Sequence, residues 1–186
     1  MKRSLLLIIV LFLSMSSFAQ MERMKFMGIP LNGTISSFQK KLAAKGVKFD
    51  PETSKGIKGP CRIFNGTFSG EKAQIFVYYN DKTKIVYRAK AVILYQKREQ
   101  GERGFEEFKY MLKSKYSNGD DFDGEQDGFP SFLIQVYDKK LSNIIGSVGM
   151  YCSKPDYSFL GEMLLHVDYT DNANEKSNIR TNMDDL

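Results

Sequence analysis

Apolar residues recur along the chain with two spacings, first helical and then strand-like. Ile35, Phe38 and Leu42 follow helical spacing after Thr34, a residue type that caps helices. Gly46 stands where a residue in the left-handed backbone conformation would end this helix. Three alternating, strand-like runs follow, separated by turn-forming residues: 61–68, 72–79 and 85–95. The first half of the chain is therefore predicted to form an αβββ unit.

The same order of elements returns in the second half of the chain. Phe105, Phe108, Leu112 and Tyr116 share one helical face, and a Gly- and Asp-rich connector at 118–128 follows them. Three more strand-like runs complete this unit: 131–137, 143–152 and 162–169. An offset of seventy positions aligns two helix positions and a proline of one unit with those of the other: Phe38 with Phe108, Leu42 with Leu112, and Pro60 with Pro130. This coincidence favours an internal duplication.

The pattern predicts a single α+β domain at residues 20–170, built from repeats at about 24–95 and 102–170. Strands joined by short turns pair antiparallel, and each helix has to bury its apolar stripe against the sheet. We expect two tandem αβββ repeats that form an antiparallel sheet with the helices packed on one face. Residues 171–186 are polar, so we expect a tail outside this core.

Residues 1–19 have the pattern of an export signal. Two cations precede the apolar run 5–13, and small residues stand at Ser17 and Ala19, the positions that a signal peptidase recognises. The apolar run is shorter than the roughly twenty residues that a membrane-spanning helix needs. We expect cleavage before Gln20, a periplasmic or secreted protein, and no transmembrane segment.

Two tandem αβββ units behind a signal peptide resemble the architecture of the β-lactamase inhibitory protein family and of small outer-membrane assembly lipoproteins. The opener F-x-G-I-P-L-x-G-T at 26–34 is also similar to openers in uncharacterised secreted proteins of Gram-negative bacteria. The first resemblance implies a module that binds another protein, and the second implies an exported location. No cysteine directly follows Ala19, which departs from the assembly lipoproteins and argues against a lipid anchor at that point.

The charge of the chain gives little support to a nucleic acid partner. The formal net charge of +5 includes Lys2 and Arg3, so the chain without its leader carries +3. Acidic and basic residues are mixed throughout, and there is no dense basic stripe of the kind that tracks a phosphate backbone. We expect a protein partner and no nucleic acid; the oligomeric state stays open.

The two cysteines, Cys61 and Cys152, leave two alternatives open. In an oxidising compartment they could form one disulfide that closes a long loop, or they could be buried free thiols that act as small apolar residues. A metal site is not expected, because the sequence has a single histidine and no C-x-x-C motif.

No catalytic constellation stands out. Strand alternation places His166, the single histidine, on the face opposite to Cys152, which argues against a cysteine nucleophile with a histidine base. The acidic stretch 120–127 lacks carboxylates at the first and last ligand positions of a calcium-binding EF-hand loop, so an acidic connector is favoured and calcium binding stays open. We therefore expect no enzymatic activity and no cofactor, with His166 half-exposed beside Asp168.

The candidate working surface is the sheet face that the helices leave open. Ala73, Ile75 and Val77 alternate with aromatic residues, so the rings should point away from the core. The residues predicted to line this face are Phe76, Tyr78, Arg88, Lys90, Tyr137, Tyr151 and His166. Tyrosine and arginine are enriched at protein interfaces, although tyrosine is also common in strands that bind nothing. The pattern favours a non-catalytic exported binding module; the alternatives are an envelope structural or chaperone-like component and a hydrolase with an unrecognised carboxylate site.

Overall fold

A computed structural model describes residues 22–140, 143–155 and 161–183. The helices are α1 (Ile35–Ala43), α2 (Pro51–Lys55), α3 (Arg98–Lys115) and α4 (Asn172–Met183). The strands are β1 (Lys25–Phe26), β2 (Ile29–Pro30), β3 (Lys48–Asp50), β4 (Cys61–Phe68), β5 (Glu71–Tyr79), β6 (Val86–Tyr95), β7 (Asp121–Gln126), β8 (Phe129–Tyr137), β9 (Ile144–Ser153) and β10 (Met163–Asp171). The predicted leader, 1–19, lies outside the described residues.

Eight strands form one antiparallel sheet in the order β3-β4-β5-β6-β10-β9-β8-β7, and β1 pairs with β2 in a separate hairpin. The last strand of each predicted unit, β6 or β10, therefore lies at the centre of the sheet. Each half contains the strands of one unit in consecutive order from edge to centre. The predicted α+β class with an antiparallel sheet is confirmed, whereas duplication of the sequence stays a prediction.

The two main helices form where the apolar spacing predicts them. The Thr34 side chain caps α1 by accepting a hydrogen bond from the Ser37 N–H at 3.3 Å, and Gly46 has the left-handed φ of 80° that ends the turn. The apolar residues of both helices are buried against the sheet: Ile35, Phe38, Leu42, Phe105, Phe108 and Leu112. A side chain at Gly104 would overlap Tyr95, so α3 approaches the sheet closely at this point.

A group of packed aromatic rings connects separate parts of the core. Phe26 of the β1–β2 hairpin stacks on Phe68 of β4, with ring centroids 5.3 Å apart, and Phe68 stacks on Phe108 of α3 at 5.8 Å. Tyr169 of β10 meets both Phe26 and Phe68 edge-on. Because aromatic rings bury large apolar areas, this group holds the hairpin, the sheet and α3 together.

Each half of the sheet has one strand more than the αβββ prediction, because short strands β3 and β7 form the two edges. The stretch expected to be an acidic connector contains β7. Asp121 and Asp123 of β7 form ion pairs with Lys113 and Lys109 of α3. These lysines neutralise carboxylates that would otherwise repel one another along the edge, so a strand with no apolar alternation can pair there.

The polar residues after position 171 form α4 for most of their length and do not extend as a tail. Asn174 donates hydrogen bonds to the carbonyl oxygens of Leu31 and Val86, and Asn80 donates to Asn178 at 2.9 Å. These side-chain bonds dock a helix whose sequence has no apolar stripe.

Asp171, the last residue of β10 directly before α4, is fully buried and joins the two ends of the described chain. Its carboxylate accepts hydrogen bonds from the Arg23 side chain at 3.1 Å and from the Met24 backbone N–H at 3.2 Å. It also accepts the Asn174 N–H at 3.1 Å. Three donors therefore compensate the burial of this charge.

Among the described residues, no helix is long and apolar enough to span a membrane.

Replacing Phe68 by Ala should lower the free energy of unfolding by about 3–5 kcal/mol, because the substitution opens a cavity between the hairpin and α3. Urea denaturation of the purified chain measures the change. Tyr110→Ala is the matched control, since Tyr110 is 76% exposed on α3 and should change stability by less than about 0.5 kcal/mol. A small effect of Phe68→Ala would show that the ring group does not hold these elements together.

Candidate functional site

The two faces of the sheet differ, because α1 and α3 pack on the same one. Arg62 of β4 donates a hydrogen bond to Gln39 of α1 at 2.6 Å, and Phe68, further along the same side of β4, stacks on Phe108 of α3. We call the opposite side of the sheet the open face. At one edge of it, the short helix α2 packs on β4, where Ser54 Oγ accepts a hydrogen bond from the Ile63 N–H at 2.8 Å.

Beyond β4, the register of β5, β6, β10 and β9 brings together six of the seven residues predicted for this face. The cross-strand neighbours are Phe76 with Lys90, Tyr78 with Arg88, Lys90 with Asp168, and Tyr151 with His166. We define the open-face cluster as Phe76, Tyr78, Arg88, Lys90, Tyr151, His166 and Asp168. Residues directly opposite in an antiparallel pair lie about 4.5–5.5 Å apart, so the cluster is contiguous.

Tyr137 is the predicted residue that the structure does not place in the cluster. A register shift between Val136 and Tyr137 interrupts the pairing of β8 with β9 at this point. The Tyr137 hydroxyl donates to an Asp120 carboxylate oxygen at 2.7 Å, at the end of β8. Strand alternation alone cannot predict such a shift, since one irregular residue changes the direction of the next side chain.

The strongest interaction in the cluster is the ion pair of Arg88 with Asp168. Arg88 Nε donates to the two Asp168 carboxylate oxygens at 2.9 and 3.0 Å, and Arg88 Nη2 donates to Oδ2 as well. These bonds raise the pKa of Arg88 above its ordinary value. Arg88 also lies over the Tyr78 ring, 5.1 Å from its centroid. Burial is the main cause that raises the pKa of Tyr78, to about 12, so its hydroxyl stays protonated.

The sequence predicts Asp168 beside His166, two residues away on the same strand, but the Asp168 carboxylate binds Arg88 of the neighbouring strand. Strand alternation alone does place Asp168 on the open face, because Asp168 and His166 are two residues apart on one strand. The partner depends on the pairing of β10 with β6, which is a contact between the two predicted units.

Lys90 lies directly opposite Asp168, but its ammonium group has no carboxylate partner among the described residues. Both Asp168 oxygens are occupied by Arg88, and Lys90 Nζ lies over the Phe76 ring, 5.1 Å from its centroid. Burial is the main cause that lowers the pKa of Lys90, and the nearby Arg88 charge lowers it further, although Asp168 opposes both.

His166 is only 9% exposed, which corrects the expectation of a half-exposed residue. Its ring stacks on Tyr151 with centroids 4.3 Å apart and an interplanar angle of 7°, and its Nε2 is 2.9 Å from Ser153 Oγ. Its Nδ1 is buried without a hydrogen-bond partner in the described part of the chain. Burial, with a smaller contribution from the Lys90 charge, lowers the pKa of His166 to about 4.

The contact of Ser153 with His166 has the separation of a nucleophile and its base, but its chemistry is unfavourable for catalysis. An effective general base has a pKa near the working pH and a third group that orients it. The pKa of His166 is about 4, and its second ring nitrogen has no orienting group within the described residues. Ser153 therefore serves His166 as a hydrogen-bond partner that satisfies one buried nitrogen.

The two cysteines are free thiols on opposite faces of the sheet, so the disulfide left open by the sequence does not form. Cys61 is paired with Tyr78 on the open-face side, whereas Cys152 belongs to the buried core. Four strand spacings, about 19 Å, separate β4 from β9, far beyond the roughly 7 Å that a disulfide spans. Burial is the main cause that raises the pKa of Cys61 to about 11 and that of Cys152 to about 12.

Among the described residues, no three His, Cys, Asp or Glu side chains are grouped so that they could hold a metal ion.

No family model matches the chain, and no curated protein or solved structure is significantly similar to it. The resemblance to the β-lactamase inhibitory protein architecture accordingly stays a prediction.

Lowering the pH from 7.5 to 5 should destabilise the protein by about 2 kcal/mol through His166 alone. Between pH 6.5 and 4 the histidine of the unfolded chain binds a proton while the buried ring stays neutral, so stability falls as the pH falls. Urea denaturation of the wild type and of His166→Gln at both pH values isolates the contribution of His166, since the other titratable groups are the same in the two proteins. An equal loss of stability in the two proteins would contradict the assignment.

Without reductant, the unfolded chain should show two titratable thiols, and the folded chain should react slowly because its thiols are buried and protonated. Ellman titration with and without denaturant measures this, and Cys61→Ser should leave one thiol. A denatured chain with no reactive thiol would show that the cysteines are oxidised.

Proposed function

We propose that the protein is a non-catalytic binding module, exported to the periplasm or the medium, that docks a protein partner on the open-face cluster. The signal-peptide pattern of the sequence at 1–19 supports the location. The observation that carries the binding role is the contiguity of aromatic rings and cations across four adjacent strands. Tyrosine and arginine supply large contact area with polar tips, which is why they are enriched at the centres of interfaces.

The cluster is held in one arrangement before any partner arrives. Arg88 is fixed by two carboxylate oxygens and a ring, and Tyr151 is fixed by stacking on His166. Immobilising a long side chain on binding costs about 0.5–1.5 kcal/mol, so side chains that are already ordered bind at a lower entropic cost. Strands of a sheet also hold such groups more rigidly than loops do.

Apolar side chains extend this surface on both sides of the cluster. Leu94 of β6, Leu133 of β8 and Phe122 of β7 point to the open face, and they are 48%, 38% and 53% exposed. A typical specific interface buries about 800 Å² on each partner. The open face offers apolar or charged groups on six neighbouring strands, in the order β5, β6, β10, β9, β8 and β7, which suits a protein better than a small molecule.

Replacing Phe76 and Tyr78 together by Ala removes two rings and leaves the ion pair of Arg88 with Asp168 in place. A partner captured by the mature chain from envelope or culture-medium proteins should bind this variant at least about thirtyfold more weakly, since a hot-spot residue contributes about 2 kcal/mol or more. Quantitative co-purification identifies the partner, and biolayer interferometry then measures its Kd for each variant.

The matched control replaces Tyr110 and Met111 by Ala, because both side chains are exposed on α3, on the other side of the sheet. Its affinity for the partner should equal that of the wild type. Thermal melting of both double variants checks that each is folded. Equal recovery of every partner by the wild type and the open-face variant would contradict the proposal.

A further inference from the structure

We infer that the partner presents a carboxylate to Lys90, together with an apolar side chain that enters a shallow groove beside the cluster. This inference rests on the proposed function and specifies the chemistry of the partner. It is carried by the charge balance of the open face and by the shape of the surface around Gly149.

Lys90 is the cation that the cluster leaves without a counterion. The carboxylate opposite to it, Asp168, binds Arg88 through both of its oxygens, and the Lys90 ammonium lies over the Phe76 ring without an ion pair among the described residues. Charge-assisted hydrogen bonds are about twice as strong as neutral ones, and they gain further when a partner excludes water from them. A carboxylate from a bound protein would supply the acceptor that Lys90 lacks among the described residues.

The part of the open face from β5 to β9 carries a net positive charge. By strand parity, the charged side chains on this part of it are Lys72, Arg88, Lys90 and Asp168. His166 adds no charge near neutral pH, because its pKa is about 4. Three cations face one carboxylate, so the surface attracts an acidic partner and repels a basic one.

A groove for an apolar side chain lies two strands away from Lys90. Gly149 is opposite Asp168 on one side and Leu133 on the other, and its missing side chain leaves a depression. A Cβ at this position would approach only Leu133 Cδ1, at 3.9 Å, so the groove has room. Phe122, Leu133 and Tyr151 supply its apolar lining, and Ser131 and Gln126 add polar groups.

The spacing of the two features sets a geometric condition on the partner. Two strand spacings separate Lys90 from Gly149, which is about 10 Å. In an extended peptide, side chains two residues apart point to the same side about 7 Å from one another, and those four residues apart about 13 Å. An Asp or Glu two or four residues from a Phe, Leu or similar side chain can therefore reach both, because the long Lys90 side chain covers the difference of about 3 Å.

Selection from a randomised peptide display library against the mature chain tests this chemistry directly, whichever protein the natural partner is. Selected peptides should be enriched in Asp or Glu near an apolar residue, and fluorescence anisotropy should show that Lys90→Gln weakens them about ten- to a hundredfold. Gly149→Val, which fills the groove, should weaken them at least about tenfold. Selection against Lys90→Glu should enrich Lys and Arg instead.

Lys41→Gln is the matched control, since Lys41 is an exposed cation of α1, on the far side of the sheet. It should leave peptide affinity unchanged. Peptides that lose affinity for the Phe76 and Tyr78 double variant, yet bind Lys90→Gln as they bind the wild type, would overturn this inference alone. A selection that yields no peptide sensitive to any open-face substitution would count against both this inference and the proposed function.

Discussion

The pairing of β6 with β10 is the constraint on which the rest of the structure depends. Eight residue pairs, from Met163 with Tyr95 to Thr170 with Arg88, join the two halves of the sheet. A slip of one residue would turn Asp168 towards the core and Val167 towards the open face. The same register that closes the core therefore places a carboxylate beside Arg88. Stability and the arrangement of the candidate site therefore both depend on this one pairing.

The two faces of the sheet satisfy their side chains by different means. On the core face, packed rings such as Phe68 exclude water, and the free energy comes from apolar burial. On the open face, the half-buried cations are placed over rings, and the single carboxylate is shared between two Arg88 nitrogens. Charged groups there tolerate partial burial because each has an electrostatic partner. Lys90 lies over a ring and is attracted by the Asp168 charge, but it forms no ion pair among the described residues, and it is for this reason the least satisfied charge of the cluster.

Much of the fold could be predicted from the sequence, because six strands and two helices carry clear apolar periodicity. Their alternation also placed six of the seven candidate residues on one surface. The edge strands β3 and β7 escaped prediction because β3 has only three residues and β7 has a single apolar residue, Phe122. The helix α4 escaped it because tertiary hydrogen bonds from Asn174 replace an apolar stripe. The position of Tyr137 and the partner of Asp168 depend on a register shift and on a long-range strand pairing, neither of which periodicity encodes.

The buried carboxylate of Asp171 has a consequence for the order in which the chain folds. It binds Arg23, 148 positions earlier in the sequence, and the backbone of Met24. The ring of Phe26 can pack on Phe68 of β4 as soon as that strand is present, but the polar bonds of Arg23 and Met24 require residue 171. Because β10 is the last strand of the described chain yet lies at the centre of the sheet, the two halves of the sheet join only when it is in place. The buried carboxylate at its end therefore anchors the start of the described chain at a late step of folding.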